Sequence, residues 1–162
     1  MKTYILRDPK AVERQTPPPK PFPEAPPVLA ADDRLVGPVL FTGLDVHKDS
    51  IAVSLAPSDA TEVRRYGVIG GTHDDVLKAV KKLQAAHPGT ALRFCYEAGP
   101  TGFPLCRFLR THGHGCIVIA PSKIPRKPGD RIKTDRRDAD QLARLYRAGE
   151  LTAIHVPEPQ DE

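Results

Sequence analysis

Val39-Leu40-Phe41-Thr42-Gly43-Leu44-Asp45 is an apolar run that ends on a carboxylate, and Ala91-Leu92-Arg93-Phe94-Cys95-Tyr96-Glu97 repeats that pattern later in the chain. Short apolar runs bounded by turn residues read as buried strands. An acid at the end of each is held by strand backbone. Two more acids, Asp135 and Asp138, stand in Lys133-Thr134-Asp135-Arg136-Arg137-Asp138-Ala139-Asp140, at the start of a helical pattern. Their spacing puts them on one helix face. Two strand ends and one helix face would bring four carboxylates together.

Outward from these segments the chain alternates β and α. Residues 39–44 form a first strand, 51–55 a second and 62–68 a third, with Pro57-Ser58-Asp59-Ala60 supplying turn chemistry. Gly70-Gly71-Thr72 breaks the run, and Thr72 suits a helix N-cap. Val76, Leu77, Val80 and Leu83 follow at helical spacing, up to His87-Pro88-Gly89. A fourth strand is expected over 91–96 and a second helix over 103–111, with Leu105, Phe108 and Leu109 inward. A fifth strand over 116–119 stops at Pro121. After a basic loop, Thr134 or Asp135 caps a helix over 135–148. Its apolar positions are Ala139, Leu142, Ala143, Leu145 and Tyr146, and Gly149 ends it. Three antiparallel strands, then helix–strand–helix–strand–helix, is the order of a ribonuclease H-like α/β domain, a mixed sheet of about five strands flanked by helices. No internal repeat is visible.

Length and composition bound the reading. A chain of 162 residues holds one ordinary domain with its own core. No apolar stretch approaches the roughly 20 residues that span a bilayer. Residues 1–10 lack the apolar middle of a signal peptide, so the expectation is a cytoplasmic protein with no membrane contact. The three cysteines, Cys95, Cys106 and Cys116, are odd in number, lack C-x-x-C spacing and lie in apolar stretches. They read as small buried fillers and not as a zinc site or disulfide framework.

The first 38 residues form a separate class of sequence. Pro17, Pro18, Pro19, Pro21, Pro23, Pro26 and Pro27 crowd a stretch with few large apolar side chains. Such a leader is expected to be extended or disordered, with P-x-x-P matches that fit either a linker or a ligand for an aromatic groove. The expected division is a leader over 1–38, a domain over 39–157 and a short polar tail over 158–162.

The net charge of +4 is unevenly placed, since residues 122–147 hold nine basic and only four acidic side chains. Lys123, Arg126, Lys127, Arg131, Lys133, Arg136 and Arg137 are the candidates for contact with a polyanion brought to the carboxylates. Phosphodiester hydrolysis or transfer by two hard cations needs several oxygen ligands around metals about 4 Å apart. Mg²⁺ prefers carboxylates and water to nitrogen or sulfur. Asp45, Glu97, Asp135 and Asp138 are therefore the candidate catalytic and metal-ligating residues. Each alone has a plainer reading: Asp45 as a chain turn, Glu97 as a solvated strand end, Asp135 as an N-cap, Asp138 as a first-turn acid. Only their joint placement points to a metal. Asp140 is expected to point elsewhere, as a surface partner of Arg136 or Arg144. His47 shares a strand face with Asp45 but is a poor Mg²⁺ ligand, so packing or solvent is its expected place. Lys48 reads as a surface lysine within reach of a phosphate. Ala98-Gly99-Pro100-Thr101-Gly102 reads as a strand-to-helix turn, with an anion site at the helix start as the alternative.

Three segments together resemble the IS110/IS1111-type transposases: Gly43-Leu44-Asp45-Val46-His47-Lys48, Tyr96-Glu97-Ala98-Gly99-Pro100-Thr101-Gly102, and Lys133-Thr134-Asp135-Arg136-Arg137-Asp138-Ala139-Asp140-Gln141-Leu142-Ala143. The resemblance covers about residues 39–157. It implies a RuvC-like member of the ribonuclease H-like fold with an Asp-Glu-Asp-Asp metal site, carried here by Asp45, Glu97, Asp135 and Asp138. It also implies Mg²⁺ or Mn²⁺ as cofactor, insertion-sequence DNA and a structured guide RNA as partners, and a homo-oligomer or an intact transposase as protein partner. Family members are longer and carry a C-terminal domain with a nucleophilic serine, so the expectation is the metal half of a truncated transposase. The alternatives are a fragment that only binds guide RNA or DNA, and a RuvC-like Holliday-junction nuclease. An actin-like ATPase would want a glycine-rich phosphate turn after the first aspartate, where this chain has Val46-His47-Lys48.

Overall fold

The structure, a computed structural model, describes residues 37–125 and 135–161, with the side chains of all of these except Asp135, Arg136 and Arg137. The proline-rich leader and the centre of the basic loop lie outside the described residues. Five strands, β1 (Val39–Val46), β2 (Ser50–Pro57), β3 (Arg64–Gly70), β4 (Ala91–Glu97) and β5 (Gly115–Ile119), form one sheet in the order β3-β2-β1-β4-β5. The first three pair antiparallel, while β4 joins β1 and β5 joins β4 in parallel. Helices α1 (His73–Ala86), α2 (Pro104–Thr111) and α3 (Asp135–Arg147) flank it. This is the mixed sheet of a ribonuclease H-like fold, as the element order implies.

The two faces of the sheet differ because side chains alternate along each strand. One face carries Leu40, Leu44, Ile51, Val53, Phe94, Tyr96 and Val118. Val76, Val80 and Leu83 of α1, with Leu105, Cys106 and Leu109 of α2, complete that core. Each such large side chain contributes about 1.5–3 kcal/mol on leaving water, so this face supplies most of the apolar stabilisation. On α2 the fully buried set is Leu105, Cys106 and Leu109, while Phe108, also expected inward, packs against that core half-buried, with its ring centroid 4.4 Å from that of His73 and 4.3 Å from that of His112.

The opposite face is built from small residues where α3 crosses it. Gly43 on β1 pairs with Ser54 on β2, and Ala52 and Ala56 stand on either side of Ser54 on the same face. A Cβ on Gly43 would lie 2.2 Å from the Ala139 carbonyl oxygen and 2.7 Å from the Ala143 nitrogen, so the helix backbone rests directly on the strand. Ala139, Leu142 and Ala143 are buried there. Gly149, at φ +71°, ends α3: its N–H reaches Tyr146 and the Glu150 N–H reaches Leu145, the paired bonds of a Schellman cap.

One boundary departs from the sequence reading for a visible reason. The third strand begins at Arg64 instead of Glu62, because the carbonyls of Ala60, Thr61 and Glu62 accept from the Arg147 guanidinium at 2.8–2.9 Å and are unavailable to β2. After α3 the chain returns along β5: Ala153 bridges Ile119, Ile154 donates to the Val118 carbonyl at 2.8 Å, and Arg107 holds the Pro157 carbonyl at 2.7 Å. Thr72 caps α1 as expected, accepting from the Asp75 N–H at 3.2 Å. No helix among the described residues is long and apolar enough to cross a membrane. All three cysteines are buried and free, as expected.

Candidate metal centre

Asp45 and Glu97 emerge side by side. The parallel register pairs Leu44 with Tyr96, and the two acids are the next residues on their strands. Both alternate onto the α3 face, two residues past Gly43 and Cys95 respectively. Adjacent strands lie about 4.8 Å apart, so two carboxylates start from neighbouring backbone positions at the carboxyl ends of the two central strands. In open sheets that end is where ligands bind. The antiparallel partner of Asp45 is Ala52, too small to fill the space above the row.

Asp45 has a first partner in the fold. His47 Nε2 lies 3.0 Å from Asp45 Oδ2, with the Asp45 side chain 17% exposed and that of His47 48% exposed. The strand ends at Val46, so His47 does not continue its face, and the turn brings the imidazole onto the carboxylate instead. Lys48 is exposed in the following turn.

Helix α3 approaches with its N-terminal end over this row. Its far end is fixed by Tyr146, whose ring lies 5.1 Å from that of Phe41, and its middle by Ala139 and Ala143 over Gly43. Running back along β1 from Phe41 through Gly43 to Asp45 therefore runs along α3 towards Asp138. The β4 flank is marked by Cys95, whose thiol donates to the Leu142 carbonyl at 3.7 Å. Asp138 precedes Leu142 by four residues, which puts both on one stripe of the helix. Glu97 follows Cys95 by two residues in the same direction. Asp138 is half-buried, and Asp135 occupies the first turn of α3 with its side chain outside the described residues.

The opposite flank of α3 corrects one expectation. Asp140 is not paired with Arg144, and the Arg136 side chain lies outside the described residues; the Asp140 carboxylate accepts a hydrogen bond from the hydroxyl of Ser54, itself buried in β2. Asp140 turns to β2 because Ala139, directly before it, is seated on β1. Sequence reasoning missed this pair and the role of Gly43, although a glycine inside a strand is a signal of close backbone approach.

Beyond the carboxylates, the strand-to-helix turn after Glu97 is held by Tyr96, whose hydroxyl donates to the Gly102 carbonyl at 3.0 Å. Of the basic candidates, Lys123 is exposed in the short helix Pro121–Lys123. Arg126, Lys127, Arg131 and Lys133 lie outside the described residues, as do the side chains of Arg136 and Arg137. Among the described residues no group of three or more His, Cys, Asp or Glu stands together as a metal site. Asp45, Glu97 and Asp138 are among those residues, so the structure sets them at one end of the sheet without closing them into a cluster, and the Asp135 side chain lies outside the described residues.

The sequence pattern of a transposase family, the DEDD transposases of the IS110 type, matches residues 42–162. The chain belongs to that family. It is 48% identical over 142 residues to a putative transposase, y4qE, of Sinorhizobium fredii, a match over 86% of this chain and 36% of the relative. It is 42% identical over 109 residues to the transposase for insertion sequence element IS1533 of Leptospira borgpetersenii, covering 67% of this chain and 31% of the relative. The chain thus spans about a third of the length of these relatives. For an IS110-family chain the donor chemistry fits a hard divalent cation. Asp45 and Glu97 are oxygen donors on rigid strands, and Asp138 shares their end of the sheet.

Proposed function

We propose that this chain carries the RuvC-like metal domain of an IS110-type transposase and acts in transposition of insertion-sequence DNA by Mg²⁺-dependent phosphodiester chemistry. The observation that carries this reading is the row of Asp45 and Glu97 on adjacent parallel strands, with the Asp138 end of α3 laid over it. Asp45, Glu97, Asp135 and Asp138 would hold Mg²⁺, or Mn²⁺ in its place. When bound, the metal would polarise a phosphate oxygen and supply an activated water or hydroxyl. The chain's own share is to hold the carboxylates on two strands and one helix, and to keep the His47 imidazole on Asp45 until a cation competes for that oxygen.

Lys123, Arg126, Lys127, Arg131, Lys133, Arg136 and Arg137 would take the phosphates of DNA or of a structured guide RNA. A second copy, or a full-length transposase, would supply what the relatives carry in their remaining length. Isothermal titration should give Mg²⁺ or Mn²⁺ binding that Asp45→Asn and Asp138→Asn each weaken at least tenfold. Equal binding by wild type and both variants would sink the four-carboxylate site.

A second reading, nucleic-acid binding without turnover, is favoured by the basic excess over residues 122–147. A gel shift that weakens with salt, together with no strand cleavage in Mg²⁺ or Mn²⁺, would select it.

A further inference from the structure

Two of the four proposed ligands ride on α3, so the roll of that helix on the sheet decides whether they meet the other two. Tyr146 against Phe41 and Arg147 on the carbonyls of Ala60, Thr61 and Glu62 hold the far end of α3, Gln141 bonds the Pro125 carbonyl, and three further contacts hold the stretch next to Asp138. At the centre, Ala139 and Ala143 press on Gly43 so closely that a Cβ there would meet their backbone. On the β4 flank, the Cys95 thiol makes a long bond to the Leu142 carbonyl at 3.7 Å. On the β2 flank, the Ser54 hydroxyl bonds the Asp140 carboxylate. The last is the only charge-assisted tie of the three, and such bonds are roughly twice as strong as neutral ones.

We infer that Asp140 is a positioning residue: its bond to Ser54 sets the roll of α3 and thereby holds Asp138 toward the Glu97 side of the sheet. Asp138 and Asp140 straddle Ala139, about 100° to either side of it around the helix. The residue that anchors one flank therefore cannot belong to the cluster on the other. The leverage is large. With side chains about 5–6 Å from the helix axis, a 20° roll moves a carboxylate by about 2 Å, far outside the tolerance of roughly 0.2 Å for metal–ligand distances. Ser54 suits the task because it is buried, lies directly opposite Gly43 in the register, and stands on a strand hydrogen-bonded on both sides. The inference rests on the proposed four-carboxylate reading for its consequence, but the tie itself stands without it.

The experiment uses the full chain with Ser54→Ala, Asp140→Ala and Asp140→Asn. An asparagine oxygen still accepts from the Ser54 hydroxyl but carries no charge for a metal. Amide hydrogen exchange of residues 138–142 in metal-free protein reads the tie directly. Exchange should speed up in Ser54→Ala and Asp140→Ala and by a clearly smaller factor in Asp140→Asn, whose bond survives without its charge, with far-UV circular dichroism unchanged in all three. Mn²⁺ titration then reads the consequence: about tenfold or greater loss of affinity in both alanine variants and rescue in Asp140→Asn. Unchanged exchange in Ser54→Ala and Asp140→Ala overturns the tie. Loss of Mn²⁺ in Asp140→Asn as severe as in Asp45→Asn overturns positioning, since Asp140 would then be a ligand. If exchange responds as expected while wild type binds no metal, the tie stands and the metal reading of the four carboxylates falls.

Discussion

Gly43 is the residue on which the candidate site depends without contributing a polar side chain. A Cβ there would meet backbone atoms of α3 at 2.2 and 2.7 Å, and backbone cannot swing away as a side-chain end can. Gly43→Ala must lift α3 or distort β1. The expected cost is on the order of 3 kcal/mol, the upper end for overpacking, read as a lower urea midpoint. The same lift separates Asp138 from the Asp45–Glu97 row, so Mn²⁺ affinity should fall with it. An alanine variant with wild-type midpoint and affinity would mean that the helix does not need this close approach. The acids themselves were legible in sequence because each closes a recognisable apolar run or opens a helix. Asp140 was misread because its environment depends on Ser54, 86 positions away in the chain.

At the scale of elements, α3 joins the antiparallel and parallel halves of the sheet, and its last residue does as much as its first. Arg147 gathers the carbonyls of Ala60, Thr61 and Glu62, with Pro57 at 3.4 Å, and so fastens the β2–β3 turn to the helix end. Hydrogen bonds from a charged donor contribute more than neutral ones, and their loss leaves several carbonyls to find water. Arg147→Ala is expected to cost about 2 kcal/mol and to open the segment 58–63 to limited proteolysis. A variant cut no faster than wild type would show that the turn holds itself. The number and order of strands and helices could be read from periodicity. The late start of β3 could not, because it follows from a bond to a helix 85 residues further on.

For the whole molecule, a tyrosine packed on each face of the sheet predicts the same response to alkaline pH. Burial pushes the Tyr146 hydroxyl up to about 12 from an ordinary 10.0, with neighbouring Cys95 raising it further and Arg93 partly offsetting this. Burial raises Tyr96 as well. A tyrosine with a raised folded value adds stability that is complete below pH 10 and is lost as pH rises through the folded value. Urea stability should therefore decline between about pH 10 and 12, with Tyr146→Phe flattening the decline. An equally steep loss in Tyr146→Phe would place the alkaline sensitivity elsewhere. Because Tyr146 packs α3 against Phe41, the same titration should loosen the helix that carries Asp135 and Asp138.

The sequence alone determined the ribonuclease H-like order of elements and the burial of the cysteines, and it singled out four acids as candidates, because these depend on local periodicity, on composition and on short segments. Tertiary structure decided what the segments do to one another. The parallel register set Asp45 beside Glu97, small residues on three elements let α3 descend onto Gly43, and Ser54 drew Asp140 to the opposite flank from Asp138. Register and helix roll are properties of contacts between residues far apart in the chain, and a single sequence does not display which distant side chains will meet.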